Sequence, residues 1–196
     1  SYTVVSHVPT ATVAELRAAE GEYPAWARER YMVLPPIPER VRAEAYRVVA
    51  AAGATTRYDK ARAIEAYLRG MTYDLEVPAP PVGADAVDYF LFATRAGFCD
   101  HSASAMTVML RALGIAARYA SGYGMGEYYP ERNAWLVTSA NAHAWVEVYF
   151  PGLGWIEFEP TPAQSPFQRP ETRPTPDPAM APVATPTPPA EEPVAG

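Results

Sequence analysis

The chain has 196 residues, of which 49% are hydrophobic and 12% aromatic, and this is enough for one domain with a buried core. Its formal net charge is −6 and its basic residues are scattered, so we expect no nucleic-acid partner, because phosphate binding needs clustered Lys and Arg. A single cysteine excludes an internal disulfide. The sequence contains no apolar run long enough to predict a membrane span within it.

The first part of the chain predicts two short elements and an irregular stretch. Residues 2–5 are mostly β-branched or aromatic, which favours a strand. Thr12 and Glu15 have the spacing of a capping box, which predicts a helix over residues 13–19. Residues 23–38 are rich in aromatic residues and proline, so we expect an irregular segment packed by its aromatic side chains.

Two amphipathic helices are predicted next. The first begins at Pro38 and runs to Gly53, and the second covers residues 56–69 and ends at Gly70. Their apolar residues recur at helical spacing: Val41, Ala45, Val48 and Val49 in the first, and Ala61, Ile64, Tyr67 and Leu68 in the second. Residues 71–77 then alternate in polarity, which predicts a strand that the following prolines end.

A third helix is predicted over residues 99–113. Its apolar stripe consists of Ala103, Met106, Leu110 and Leu113. Gly114 suits the position that follows a helix end. An aromatic-rich helical turn or loop over residues 85–94 precedes it, and we expect this segment to pack beneath Cys99.

The following stretch predicts strands. Residues 116–122 favour one strand, and residues 122–132 form a Gly- and Tyr-rich segment that we expect to be a surface loop. Residues 142–150 alternate in polarity, and a Gly-containing turn separates them from a return strand over residues 155–159. In the first of these two strands, one face carries His143, Trp145, Glu147 and Tyr149, and the other carries Ala144, Val146, Val148 and Phe150.

Cys99 is the candidate nucleophile. It stands where a loop rich in Gly and aromatic residues enters the third helix, and the free N–H groups and positive dipole end of a helix start favour a thiolate. The ordinary alternative is a small buried hydrophobic side chain. A nucleophilic role would need a base, and the base would need an acceptor to orient it.

The candidate base is His143, at the start of a strand and between two small residues that leave room for a neighbouring helix. The ordinary alternative is a strand histidine with its hydrogen bonds satisfied. His7 is interpreted as a surface residue. His101 lies two residues after Cys99, a spacing that turns its side chain to another side of the helix, so we interpret it as a surface or supporting group.

The candidate acceptor is a glutamate of the return strand. Alternation places Glu157 and Glu159 on one face of that strand. Glu147 lies on the same strand as His143 but about 13 Å from it, which is too far to orient the ring. The ordinary alternative for all three glutamates is a solvated strand face.

The register of the hairpin decides whether Glu159 can reach His143. A two-residue turn gives paired residue numbers that sum to 305 and places His143 opposite Pro162. A loop centred on Pro151 gives 302 and places His143 directly opposite Glu159. Glu159 therefore shares a face with His143 only if the loop is odd or the strand is bulged.

Three sequence blocks occur in the order cysteine, histidine, acid: GFCDH at residues 97–101, NAHAWVEVY at residues 141–149 and GWIEFEPTP at residues 154–162. Together with DYFLF at residues 88–92, they resemble the bacterial transglutaminase-like superfamily. More narrowly, they are similar to the extracytoplasmic transglutaminase domain of multi-span bacterial membrane proteins. The similarity covers residues 40–162.

This resemblance implies an α+β fold with a papain-like core, in which a helix carrying the cysteine packs on an antiparallel sheet. It implies Cys99 as nucleophile, His143 as base and Glu159 as acid, at a position where the wider superfamily mostly has Asp. The expected reaction is acyl transfer from a protein or peptide glutamine through a Cys thioester. The acceptor is an amine or water, and no metal or organic cofactor is required.

Two other functions are compatible with the same residues. One is a cysteine peptidase or amidase that uses the same thioester, and the other is a non-catalytic binding module of a membrane protein. We expect an N-terminal extension over residues 1–37, the catalytic core over residues 38–163 and a disordered Pro-rich linker over residues 164–196. The missing initial Met indicates a fragment, which the resemblance places outside the cytoplasm between membrane-spanning segments.

Overall fold

The computed structural model describes residues 8–172, which combine helices with small sheets. The helices are α1 (Val13–Ala18), α2 (Ala25–Tyr31), α3 (Glu39–Ala51), α4 (Arg57–Arg69), α5 (Ala86–Tyr89, continued by a π-helical turn, Phe90–Thr94) and α6 (Cys99–Ala112). The strands are β1 (Thr72–Tyr73), β2 (Ala96–Gly97), β3 (Ala117–Tyr123), β4 (Glu127–Tyr129), β5 (Ala134–Leu136), β6 (Ala142–Phe150) and β7 (Gly154–Phe158). The predicted strand at residues 2–5, His7 and residues 173–196 of the predicted linker lie outside the described part.

The helices predicted from apolar spacing form as expected. In α3 and α4, all but one of the predicted apolar residues are buried, the exception being the half-buried Tyr67. The Thr12–Glu15 capping box starts α1, since the Glu15 N–H donates to Thr12 Oγ1 and the Thr12 N–H donates to the Glu15 carboxylate. Helix α1 adds Leu16 to the same core as α3, α4 and α6.

A three-stranded antiparallel sheet in the order β3–β6–β7 forms the other half of the core. The alternation predicted for β6 is confirmed: Ala144, Val146, Val148 and Phe150 are at most 1% exposed. Helix α6 packs against this buried face, so its first residue, Cys99, comes close to the start of β6. None of the helices within residues 8–172 is long and apolar enough to cross a membrane.

The prediction of an irregular segment over residues 23–38 is wrong in its centre, where helix α2 forms. Pro24 suits a helix start, and Ala, Arg and Glu in Ala25–Tyr31 favour a helix more than the flanking prolines suggest. The predicted aromatic packing is present, because Trp26 stacks edge-on against Tyr149 with ring centres 4.9 Å apart.

Two predictions of strands and loops are also wrong in extent. The strand predicted over residues 71–77 is reduced to β1, because the Asp74 carboxylate accepts the Glu76 N–H at 2.8 Å and turns the chain. The predicted surface loop over residues 122–132 contains β4, which forms an exposed antiparallel hairpin with β5. Both strands of that hairpin are exposed throughout, so no alternation in polarity marks them in the sequence.

Candidate active site

Cys99 is the first residue of α6, as the sequence predicts, and it is partly buried. It lines a cleft of about 610 Å³ together with His143, so the structure brings these two predicted residues to one cavity. Phe98 and Asp100, on either side of the cysteine in the sequence, also line the cleft, and β3 contributes Tyr119 and other lining residues.

The turn before Cys99 is held by His101. The His101 ring accepts the Phe98 N–H at 3.4 Å, and it packs against the rings of Phe98 and Phe90 at 4.5 and 5.6 Å between centres. Burial lowers the pKa of His101, so the neutral ring that this contact needs is favoured. His101 is therefore a supporting group, as the sequence predicts, and the aromatic segment before α6 contacts it through Phe90.

Burial raises the pKa of the Cys99 thiol, although the backbone N–H groups of Ala144 and Asp100 oppose that rise. The negative charge of Asp100 adds to the rise. The sequence predicts a thiol that the helix start shifts toward thiolate, and the net direction is the opposite, because the cleft desolvates the sulfur. A proton must therefore leave the thiol when it reacts, and a neighbouring base is needed.

His143 and Glu159 form a close pair. The His143 Nε2 atom lies 2.5 Å from Glu159 Oε2, and the two side chains are only 14% and 4% exposed. A carboxylate only accepts hydrogen bonds, so this contact places the ring hydrogen on Nε2. It leaves Nδ1 as the ring nitrogen that can accept a proton.

The register that produces this pair differs from both predicted registers. Phe150 pairs with Gly154 and Val146 with Phe158, so a three-residue loop joins β6 to β7 and paired residue numbers sum to 304. The expectation of an odd loop is met, and alternation keeps Glu159 on the face of His143. In this register Glu159 is a diagonal neighbour of His143, within reach of a long side chain.

The other two candidate glutamates lie away from His143. Glu147 pairs with Glu157 across the hairpin and forms a salt bridge with Arg118 on β3. Burial raises the pKa of Glu157, and the nearby charge of Glu147 adds to that rise. Neither glutamate contacts the histidine in the part of the chain that the structure describes.

A tryptophan and a glycine shape the surroundings of the histidine. The Trp145 and His143 rings are nearly parallel, at 21°, with centres 6.3 Å apart. Gly122 is paired with His143 across β3 and β6, and a Cβ there would lie 3.0 Å from the indole of Trp145. The glycine therefore leaves the space that the indole occupies beside the histidine.

The cleft carries negative charge and aromatic rings. The Asp100 carboxylate lines it and accepts the Tyr119 hydroxyl at 2.6 Å. Partial burial raises the pKa of Tyr119 to about 12, and its hydrogen bond to Asp100 adds to that rise, so the hydroxyl remains a donor. Tyr73 and Tyr123 complete the aromatic lining, and no Lys or Arg is among the described residues that line the cleft.

Four residues near the site were not predicted from the sequence: Asp100, Tyr119, Glu65 and Arg69. Glu65 and Arg69 of α4 contact the backbone of Glu159. A signal for Glu65 is present in the sequence, because it lies four residues after Ala61 and three before Leu68, on the apolar stripe of α4. A charged residue at such a position indicates a buried partner.

Within residues 8–172 no group of three or more His, Cys, Asp or Glu side chains is arranged to hold a metal ion. The candidate site therefore consists of a thiol, an imidazole–carboxylate pair and the polar wall of the cleft.

Comparison with known proteins supports the family resemblance for the region that contains the site. A family model described as the transglutaminase-like superfamily matches residues 44–160. An uncharacterized Bacillus subtilis protein, YebA, is 43% identical over 174 residues, which cover 82% of this chain and 23% of that protein. A protein-glutamine gamma-glutamyltransferase of Pseudomonas aeruginosa is 53% identical over 89 residues, which cover 45% of this chain and 13% of that protein.

A solved structure is similar as well. The crystal structure of the periplasmic domain of TgpA from Pseudomonas aeruginosa matches with a TM-score of 0.63 and 39% identity, covering 74% of this chain and 49% of that chain. The same domain bound to ethylmercury gives the same TM-score. The chain thus spans less than a quarter of the length of the curated relatives it matches.

Proposed function

The chain belongs to the transglutaminase-like superfamily, and we propose that it catalyses thiol-dependent acyl transfer from a glutamine carboxamide of a protein or peptide. Cys99 is the nucleophile, His143 the base and Glu159 the group that orients the base. The observation that carries this proposal is the 2.5 Å contact between His143 Nε2 and Glu159 Oε2 beside a cleft that Cys99 also lines.

The first half-reaction forms a thioester and releases ammonia. The Cys99 sulfur attacks the carboxamide carbon, and His143 takes the thiol proton on Nδ1. The imidazolium is stabilised by Glu159 and returns this proton to the leaving nitrogen, so that ammonia departs and the acyl group remains on sulfur. Because burial raises the pKa of Cys99, the proton transfer to His143 accompanies the attack instead of preceding it.

The second half-reaction returns the enzyme to its starting state. A primary amine attacks the thioester carbon and gives one proton to His143, the C–S bond breaks, and the sulfur takes that proton back. The product is a substituted amide. Negative charge on the carbonyl oxygen develops in both half-reactions, and the N–H of Cys99 at the start of α6 is a candidate donor to it.

The lining of the cleft favours an amine over water as the acceptor. Asp100 supplies a carboxylate next to Cys99, and the aromatic side chains of Tyr73, Tyr119 and Tyr123 line the same cleft, where aromatic rings can attract a cation. A protonated primary amine, such as a lysine side chain, would be attracted by both kinds of contact and would lose its ammonium proton to solvent before it attacks, whereas water has no charge for them to attract. Hydrolysis by the same thioester is the alternative outcome, and it would make the protein an amidase or peptidase.

The proposed location is outside the cytoplasm. The support is the similarity to a solved periplasmic domain, which matches at 39% identity. The chain covers only 23% of the length of YebA, so its place in a larger membrane protein with flanking spans is part of the proposal.

The test is to incubate the protein with a glutamine-containing peptide and a labelled primary amine, and to analyse the peptide by mass spectrometry. Label on the glutamine supports acyl transfer, and conversion of glutamine to glutamate indicates water as the acceptor. Cys99→Ser is the matched control, which changes one atom of the proposed nucleophile. A folded wild-type protein that gives neither product would favour a non-catalytic binding module and overturn the proposal.

A further inference from the structure

The backbone of Glu159 lies just beyond the end of the sheet. The last pair of the β6–β7 ladder joins Val146 to Phe158, so the N–H and C=O groups of Glu159 have no partner in that ladder. Glu159 is only 3% exposed, and buried backbone groups need hydrogen-bond partners. Both partners come from helix α4.

One partner is Glu65 and the other is Arg69. The Glu65 Oε1 atom accepts the Glu159 N–H at 2.8 Å, and an Arg69 guanidinium nitrogen donates to the Glu159 carbonyl at 2.9 Å. The two side chains are four residues apart on α4 and therefore project from the same side of the helix. Together they hold both backbone groups of the residue that faces His143.

Arg69 also fixes the chain that follows Glu159. It donates to the carbonyl oxygens of Thr161 and Gln164, both at 2.8 Å. The Thr161 N–H then donates to Glu159 Oε1 at 2.9 Å, so one carboxylate oxygen is held by this turn. The other oxygen, Oε2, is the one that lies next to His143 Nε2.

Burial of the charged Glu65 side chain is energetically unfavourable. Glu65 is 1% exposed, burial raises its pKa, and its second carboxylate oxygen is paired with Arg62. An apolar residue would suit its position on the stripe of α4 without that desolvation cost. A carboxylate at this position is explained by the Glu159 N–H, because an apolar side chain could not accept that hydrogen bond.

We propose that Glu65 and Arg69 are positioning residues, which act through the backbone of Glu159 to aim its carboxylate at His143. This inference rests on the proposed function for its effect on turnover, but not for the geometry that it describes. The alternative is that both residues only fasten α4 to the end of β7 and contribute to stability.

The principal test is Arg69→Met, which keeps the aliphatic stem and removes the donors to three carbonyls. Two readouts are used: kcat and KM for ammonia release, and the low-field proton NMR signal of the His143 ring N–H, assigned by its absence in His143→Gln. We expect kcat to fall about 100-fold with KM changed about twofold or less, as for a small misplacement of a catalytic group. The low-field signal is lost or broadened.

Conservative variants separate positioning from stability. Arg69→Lys retains a cation that can donate to only some of the same carbonyls, and Glu65→Gln retains an uncharged acceptor for the Glu159 N–H, so both should keep the signal at a shifted position and lose much less of kcat than Arg69→Met. Glu65→Leu should lose both readouts. Arg47→Met removes an exposed arginine that pairs with Glu44 on α3 and lies over the Tyr67 ring of α4, but that has no hydrogen bond to Glu159 or the turn after it among the described residues, and it serves as the control for loss of an ion pair beside α4.

Folded Arg69→Met and Glu65→Leu proteins that retain the signal and full kcat would overturn the positioning role. If either fails to fold, Arg69→Lys and Glu65→Gln decide: a shifted signal together with a lowered kcat in a folded conservative variant supports positioning, and a wild-type signal and full kcat with only the melting temperature lowered support a purely structural role. A wild type without turnover whose signal disappears in Arg69→Met supports positioning and contradicts the proposed function. A wild type without the signal overturns positioning, because no His143–Glu159 bond would then exist to be held.

Discussion

The Glu159 carboxylate reaches His143 diagonally across the β6–β7 hairpin, with 2.5 Å between Oε2 and Nε2. Direct partners across that hairpin have residue numbers that sum to 304, so His143 and Glu159 are offset by two positions. The longer side chain of Glu spans this offset, and the backbone of Glu159 is fixed by α4. This offset suits a side chain one methylene longer than Asp, the residue that the resemblance leads us to expect at the proposed acid position.

Shortening or neutralising this acid is the first prediction. Glu159→Gln removes the charge that stabilises an imidazolium, and we expect kcat to fall on the order of 10²- to 10⁴-fold with KM little changed. Glu159→Asp should also lose activity, because the anchored backbone cannot move to compensate for the missing methylene. Ammonia release against substrate concentration measures both parameters.

The matched control for these variants is Glu157→Gln. Glu157 lies on the same strand face but opposite Glu147, away from His143. The kcat of Glu157→Gln should remain within about twofold of the wild-type value. An equal loss of kcat in Glu157→Gln and Glu159→Gln would show that general strand charge, not the contact with His143, controls activity.

The second prediction concerns the pH dependence of Cys99 alkylation. Burial raises the pKa of the thiol, so at any pH below that pKa less thiolate is present than for an exposed cysteine. The rate of reaction with iodoacetamide should therefore rise with pH and reach its midpoint above about 8.5, the value of an ordinary thiol. A midpoint below neutral pH would indicate a preformed thiolate–imidazolium pair and contradict proton transfer during attack.

The third prediction concerns the choice between amine and water. Asp100→Asn removes the carboxylate that faces a cationic acceptor, and we expect the KM for a diamine to rise about tenfold, equivalent to about 1.4 kcal/mol. Hydrolysis measured without amine should not decrease. Hydroxylamine, which is uncharged at neutral pH, is the control nucleophile, and an equal effect of Asp100→Asn on both nucleophiles would exclude charge recognition.

The fourth prediction tests the turn that precedes Cys99. A Cβ at Gly97 would lie 2.8 Å from Cγ of the His101 ring, and that ring is packed between Phe90 and Phe98. Gly97→Ala should therefore destabilise the protein by about 1–3 kcal/mol in urea unfolding and lower kcat by moving Cys99. Gly124→Ala, whose Cβ would meet only the Asn141 carbonyl at 3.7 Å, should leave both unchanged.

Elements with one buried face could be predicted from the sequence. The apolar stripes of α3, α4 and α6 and the alternation of β6 are set by which side chains leave water, and each of these elements forms close to its predicted bounds. The exposed hairpin of β4 and β5 has no buried face and therefore no pattern to detect. Helix α2 was not predicted, because the prolines and aromatic residues around it favour an irregular segment more strongly than its few helix-forming residues favour a helix.

The residue types of the candidate site could be proposed from the sequence, but their geometry could not. The order of Cys99, His143 and Glu159 is visible in the sequence, but the diagonal contact depends on a three-residue loop that two other registers could replace. The role of the α4 residues was also not predictable, since a helix and a strand end that are 90 residues or more apart meet only in the folded chain. The upward shift of the Cys99 pKa was not predictable either, because it results from burial of the sulfur in the folded chain.

The most direct test of the central claim is to detect the acyl group on Cys99. Rapid acid quenching of the protein with a glutamine peptide, without amine, followed by intact mass measurement and peptide mapping, should reveal the mass of the peptide minus ammonia on Cys99. The adduct should disappear when a primary amine is added, and it should be absent from Cys99→Ala. Turnover by the Cys99→Ala variant, or an acyl group found only on another residue, would contradict the account.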